Sequence, residues 1–243
     1  MRWTYASGWT GSLRQSARQA LAERGLAYVL RVGILWATFP VWRLWFRLFP
    51  RTFRFRGSTY TCFFHGYNST WSNERAVEVP IVRALVAERR GGRILEVGNV
   101  LSHYGPAEHE RLDKFESGPG IRNEDVAVFR SPIPYDLIVS ISTLEHVGWD
   151  EEPRDPGKIA RAVANLASQL APGGRLVVTL PLGYNPDLDA RLDSDALPFT
   201  RLDCLQRRGW CRGEEAAWEE VRGARYGGAW PGATGLVIAT VER

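Results

Sequence analysis

The sequence predicts an α/β fold, a mostly parallel sheet with helices on both faces, preceded by a basic, aromatic N-terminal helical arm. Three observations carry this expectation. Short apolar runs rich in β-branched residues recur along residues 91–243, separated by Gly and Pro turn signals and a segment with helical spacing. Buried strands joined by helices imply a parallel sheet covered on both sides. Positive charge is concentrated at the start: residues 1–60 hold ten Arg, no Lys and one acid, Glu23. They carry +9, which leaves −5 for the other 183 residues of a chain whose net charge is +4. We therefore divide the chain into an arm, 1–60, and a body, 61–243.

In the body, residues 93–97 (RILEV) follow a Gly-Gly turn and read as the first strand. A second strand is expected at 110–113, a third within 124–129, and a fourth at 135–142 (YDLIVSIS). Residues 158–170 (KIARAVANLASQL) have helical spacing, and the Pro172-Gly173-Gly174 turn leads to a fifth strand at 175–180. Residues 235–241 (GLVIATV) supply the last strand.

In the arm, 12–24 reads as helical. Residues 26–49 form a 24-residue apolar stretch, long enough to span a bilayer. Arg31, Arg43, Arg47 and Pro40 argue against a span, because a central Arg costs roughly 2.5–3.5 kcal/mol while each Leu or Ile returns about 0.3–0.6. Five of the ten Trp (3, 9, 36, 42 and 45) lie in this arm among the Arg residues. The composition suits a segment lying in an anionic membrane interface, with packing on the body or on a partner as the alternatives. No signal peptide is visible, and Cys62, Cys204 and Cys211 match no zinc spacing. Reduced thiols in a cytoplasmic, membrane-associated protein are the expectation.

Ligands of such sheets bind beyond the carboxyl ends of the strands, at the topological switch point. Gly98 follows the first strand and lets backbone approach a ligand. Asp113 follows the second and can accept the hydroxyls of a ribose, and Asp125 can accept from an adenine amino group. Ser142, Thr143, Glu145 and His146 follow the fourth. Two further segments are unusually polar and aromatic: one contains His65, Tyr67 and Asn68, the other Tyr184 and Asn185. Both are candidates to cover a small-molecule acceptor. The first also reads as a capped helix start, with Ser72 or Asn73 as N-cap and Arg75 bridging to an acid.

Three segments, ILEVG (94–98), YDLIVSISTLEHV (135–147) and LAPGGRLVVTLP (170–181), occur in the order and spacing that resemble class I S-adenosylmethionine-dependent methyltransferases of the small-molecule branch. The resemblance implies a Rossmann-like sheet of seven strands with the last antiparallel, and S-adenosylmethionine as cofactor. It places Glu96, Gly98 and Asn99 at the methionine end, and Asp113 on the ribose with Lys114 beside it. Asp125 and Val126 fall at adenine, and Ser142 near the methionine carboxylate or sulfonium. The family's Gly-rich loop is altered here: Gly98 is followed by Asn99-Val100-Leu101-Ser102. Asn99 is expected to supply the backbone freedom that a further Gly would give.

The expected activity is methylation of a hydroxyl on a glycan, a lipid-linked sugar or a secondary metabolite, with His146 as general base. His65 is an alternative base, and packing against the cofactor is the alternative role for His146. Other readings are an RNA methyltransferase that uses the arm on phosphates, and a scaffold whose cofactor site has decayed. Arg interleaved with large apolar residues argues against a solvated nucleic-acid surface. GxGxxG is absent, which argues against a nicotinamide enzyme. No HxxxH or acid-rich ligand set occurs, so no metal is expected. The oligomeric state is open.

Overall fold

The computed structural model describes residues 37–209, 213–227 and 232–243, with Leu26, Leu30, Gly33 and Ile34. The helix expected at 12–24 and Cys211 lie outside the described residues. The chain forms two compact units, one ending at Pro50 and the other running from Arg51 to Arg243.

In the first unit, Leu26, Leu30, Gly33, Ile34 and Ala37 are helical, and helix α1 spans Phe39–Leu48. Pro40 sits at its start, where a missing N–H costs nothing, and Arg47 lies in the last turn, where the helix dipole favours a cation. Among the described residues no helix is long and apolar enough to cross a membrane.

The second unit opens with a hairpin, β1 (Thr52–Phe55) and β2 (Ser58–Thr61), although all of it but Thr61 falls in the expected arm. Arg56 and Gly57 at its turn both have positive φ, the geometry of a tight hairpin. The Arg56 guanidinium pairs with Asp203 at 2.5 Å, so this arm cation meets one of the body's own acids.

Helix α2 (Arg75–Glu88) carries Pro80 inside it. Pro80 cannot donate to the Ala76 carbonyl, and that carbonyl instead accepts from Phe63 N at 2.8 Å. The loss within the helix therefore docks the segment after β2.

The main sheet consists of β3 (Ile94–Val97), β4 (Glu110–Leu112), β5 (Ile121–Arg122), β6 (Tyr135–Ile141), β7 (Leu170–Pro181), β8 (Arg201–Arg207), β9 (Gly213–Ala216) and β10 (Gly235–Glu242). Their order is β5-β4-β3-β6-β7-β10-β8-β9. The first five are mutually parallel, and β10 is antiparallel to both β7 and β8. The fold is Rossmann-like, with the last strand antiparallel and with β9 as an eighth strand beyond the seven expected. Chain order reverses between β3 and β6, and this is the switch point.

Helices α3 (Lys158–Ser168) and α4 (Pro186–Asp193) cover one face, burying Ile159, Ala162, Val163, Leu166, Leu188 and Leu192 against Leu95, Ile138, Leu176, Val178 and Val237. Alternate residues of the same strands, such as Val177 and Thr179, face the α2 side, where the Thr179 hydroxyl donates to Glu78.

Two local expectations change. Residues 124–129 form a turn, not a strand: Val128 N and Phe129 N both donate to the Asp125 carbonyl, and Ala127 N donates to its side chain. Asp offers the backbone a local alternative to a ladder, and the strand retreats to Ile121–Arg122. The Pro172-Gly173-Gly174 segment is an irregularity within β7, because Gly173 N and Arg243 N exchange bonds with Arg243 O and Gly174 O across the end of β10.

Leu166 is fully buried between α3 and the sheet. Leu166→Ala should lower unfolding free energy by about 2–5 kcal/mol, measured from urea denaturation midpoints.

Candidate functional site

The carboxyl ends of β3, β4, β6 and β7 meet at the switch point. Gly98, at the end of β3, has φ +85°, and a Cβ there would lie 2.2 Å from Thr143 Oγ1. Glycine is thus required twice, by conformation and by close approach. Asn99 stays outside the left-handed region, contrary to expectation. Its side chain explains its presence: Nδ2 donates to Glu116 and Oδ1 accepts from Ser102, fixing the loop after β3. Glu96 is buried and faces that loop, accepting from Val100 N and Leu101 N, with His109 Nε2 at 2.7 Å. It shapes the turn and presents no oxygen free of protein partners.

Asp113 stands at the end of β4. Its Oδ1 accepts from Phe115 N and Glu116 N, while Oδ2 meets Asn99 N at 3.4 Å, a weak bond that leaves accepting capacity toward the edge. Asp125 is held differently. Its Oδ2 lies 2.5 Å from Lys158 Nζ and 3.0 Å from Lys114 Nζ, and both lysines also meet Glu151. Burial opposes ionisation of Asp125, but hydrogen bonds from Lys158, Ala127 N and Lys114 outweigh it and pull its pKa down to about 2. Lys114 is thereby part of an ion-pair cluster, and Val126 belongs to the core, its carbonyl accepting from Asn165.

Ser142 turns away from this edge. It adopts φ +36°, a costly conformation for a non-glycine residue, and its hydroxyl donates to the buried Glu78 at 2.5 Å. The neighbouring Thr143 takes the position against Gly98. Thr143 also starts the short 3-10 turn Leu144–His146, with His146 N donating to its carbonyl.

His146 Nδ1 lies 2.5 Å from Asp150 Oδ2, and the same oxygen accepts from the Tyr184 hydroxyl at 2.6 Å. The Tyr184 ring meets the imidazole edge-on at 4.7 Å. With Nδ1–H donated to Asp150, a neutral His146 keeps its lone pair on Nε2. Burial works against the imidazolium, yet the Asp150 bond and the Glu145 and Asp150 charges overcome it and hold His146 above its ordinary value. Burial, then the Asp150 bond, raises Tyr184, which remains a phenol. Glu145 is 2% exposed, its Oε2 has no protein partner, and burial pushes its pKa up to about 7.

The acceptor-side residues separate into two groups. Tyr67 stacks on His103 at 4.5 Å, and His103 reaches Glu116, so this segment joins the loops after β3 and β4. His65 packs against Phe63, and its Nδ1 accepts from Tyr67 N. Asn68 and Ser69 are both left-handed, and Asn73 Nδ2 donates to the Asn68 carbonyl. Arg75 does bridge to an acid, Glu78, at 3.3 Å. Asn185 is committed to structure: Oδ1 caps α4 by accepting from Asp187 N and Leu188 N, and Nδ2 donates to the Glu145 carbonyl. Sequence reasoning placed Thr143 and Glu145 at the sheet's mouth without giving either a role, and it passed over Asp150. Asp150 lies four residues after His146, a spacing that signals such a pair only once the turn geometry is known.

The Glu145 carboxyl generates a pH prediction. Below its ordinary 4.5 it is neutral in both folded and unfolded chains. Between 4.5 and about 7 the unfolded chain ionises first, so stability falls as pH rises across this window and levels off above it. Glu145→Gln should remove this loss and gain roughly 3 kcal/mol on the parent protein across the window. Unfolding free energies of both proteins from about pH 5 to pH 8 measure the difference.

No protein-family model and no curated protein sequence matches the chain. Solved structures with some likeness include methyltransferases. The N-methyltransferase NodS from Bradyrhizobium japonicum WM9 is 16% identical, with a TM-score of 0.41 over 70% of this chain and 96% of that one. A TehB-like S-adenosylmethionine-dependent methyltransferase from Corynebacterium glutamicum ATCC 13032 Kitasato is 19% identical, with a TM-score of 0.39 over 68% and 87%. The sugar N-methyltransferase KedS8 from Streptoalloteichus sp ATCC 53650 is 20% identical, with a TM-score of 0.33 over 55% and 56%.

Proposed function

We propose that the body is an S-adenosylmethionine-dependent methyltransferase that acts on a hydroxyl of a small molecule. The observation that carries this reading is the junction at the switch point. Gly98, Asp113 and Thr143 lie together there, and the turn that begins at Thr143 presents His146, held by Asp150. The first two of the three ordered motifs supply Gly98, Thr143 and His146.

The donor set fits such a cofactor in part. The Gly98 turn adds no side chain of its own, with Thr143 Oγ1 packed against it, and Asp113 Oδ2 retains capacity for ribose hydroxyls. Asp125 fits poorly as an adenine acceptor, because Lys114 and Lys158 already occupy Oδ2 and Ala127 N occupies Oδ1. S-adenosylmethionine, when bound, supplies a methyl group already activated on a cationic sulfur. The chain's own task is to orient the acceptor, exclude water and take its proton. His146 Nε2 accepts the proton of the acceptor hydroxyl, and the resulting imidazolium is stabilised by Asp150 on one side and Glu145, 3.6 Å away, on the other. Tyr67 and Tyr184, at the two ends of the edge, flank the acceptor. The acceptor is a glycan, a lipid-linked sugar or a secondary metabolite.

Calorimetry with S-adenosylhomocysteine tests the cofactor, and absence of heat and of thermal stabilisation would favour a decayed site. Asp113→Ala should weaken binding by about tenfold or more, the size of a lost bond to a charged acceptor. His146→Ala should leave binding unchanged while lowering hydroxyl-acceptor turnover about 10²–10⁴-fold. Unchanged turnover would remove His146 from the chemistry.

A further inference from the structure

We propose that the unit containing α1 binds the surface of an anionic lipid bilayer, lying in the plane of the interface. The inference is independent of the methyl-transfer reading. Val41, Leu44, Trp45 and Leu48 of α1 are 68%, 57%, 45% and 61% exposed. At 3.6 residues per turn these four positions fall within an arc of about 100°, a single apolar stripe. Leu30 and Ile34, on helical backbone ahead of α1, are 57% and 63% exposed and extend the apolar surface. A water-soluble helix turns such a stripe toward a core; here it faces outward.

The charges identify the occupant. Arg43 and Arg47 sit one turn apart on the flank opposite the stripe, and both are exposed. Residues 4–50 hold six Arg and one acid, Glu23, so the unit carries a net charge of +5 and a positive field. Trp and Arg side by side on an amphipathic helix is the composition of a segment at headgroup depth. In that position the apolar stripe enters the acyl boundary, and the Arg stems reach back to lipid phosphates. A protein groove would take the stripe equally well, but would have to be strongly acidic to accept the flank.

Co-sedimentation of the full chain tests this with two vesicle types: phosphatidylcholine alone, and phosphatidylcholine mixed with phosphatidylglycerol. The full chain should bind the mixed vesicles and release in high salt. Leu44→Glu with Trp45→Glu should abolish binding. Arg43→Gln with Arg47→Gln should weaken it roughly 30-fold at low salt, the effect of losing two cations near an anionic surface. Thermal unfolding of the body should be unchanged in both variants, because the altered side chains are exposed. Equal binding by the Leu44→Glu/Trp45→Glu protein, or no binding of the parent to mixed vesicles, would overturn the proposal. A self-associated parent that dissociates in that variant without binding vesicles would assign the stripe to a second copy, and would overturn it too.

Discussion

The architecture of the site depends on one buried carboxylate. Glu78 of α2 is wholly inaccessible, and it accepts from the Ser142 hydroxyl at 2.5 Å and the Thr179 hydroxyl at 2.7 Å, with Arg75 at 3.3 Å. Arg75 in turn donates to the carbonyls of Ile141 and Ser142. One helix thereby holds the ends of β6 and β7 together at the point where β6 must stop and turn. A charge so deep is expensive unless it is paired and fully hydrogen-bonded, and removing any partner leaves the remainder exposed to that cost. The left-handed backbone of Ser142 is tolerated because this network over-determines it. Since Ser142 is fixed on the α2 side, Thr143 must fall on the other, against Gly98, and the turn carrying Glu145 and His146 follows from there.

The second consequence is electrostatic. Glu145, His146 and Asp150 lie in sequence on a short turn, yet their environments differ sharply. Asp150 is stabilised as a carboxylate by two donors and lies below its ordinary value, although burial opposes this. Glu145 has lost water without gaining a partner for Oε2, and lies near neutrality. An imidazole between them becomes a stronger base than a free one, since one carboxylate orients it and the other gains most when it is protonated. Pairs of acids whose environments pull their proton affinities apart are the means by which a site divides orientation from proton transfer.

Much of this was legible in the sequence. The strands at β3, β6 and β10 are short and rich in apolar, β-branched residues, and burial on both faces leaves few other ways to place them. The positions of Asp113 and His146 beyond strand ends were legible because residues that follow a parallel strand fall at its carboxyl edge. Ser142 was misplaced because strand alternation assigns its side chain to a face only while the strand continues, and β6 ends one residue before it. The hairpin β1–β2 was absorbed into the arm because TFRF and STYT are half polar, and its partners, Asp203 and Glu215, lie some 150 residues away. Asn185 was indistinguishable from a ligand residue, since the amide that caps a helix is the same group that binds a substrate.

The misread adenine contact has a physical cause of its own. The chain has two lysines among its 31 basic residues, Lys114 and Lys158, and both enter the same cluster with Asp125 and Glu151. Arginine serves wherever a planar fork can reach carbonyls or carboxylates, as at Arg75 and Arg93. A compact ammonium is needed where one cation must touch two carboxylate oxygens from different loops at 2.5–3.0 Å, and where two such cations share them. Lys158 lies at the first turn of α3, an unfavourable end for a cation, and the two acids offset that cost. The cluster joins the loops after β4, β5 and β6 to the start of α3. It stiffens an edge where the eight residues between β4 and β5 are too few for the helix that usually crosses between parallel strands. With no helix to buttress that edge, ion pairs do so, and Asp125 serves the scaffold before it can serve a ligand.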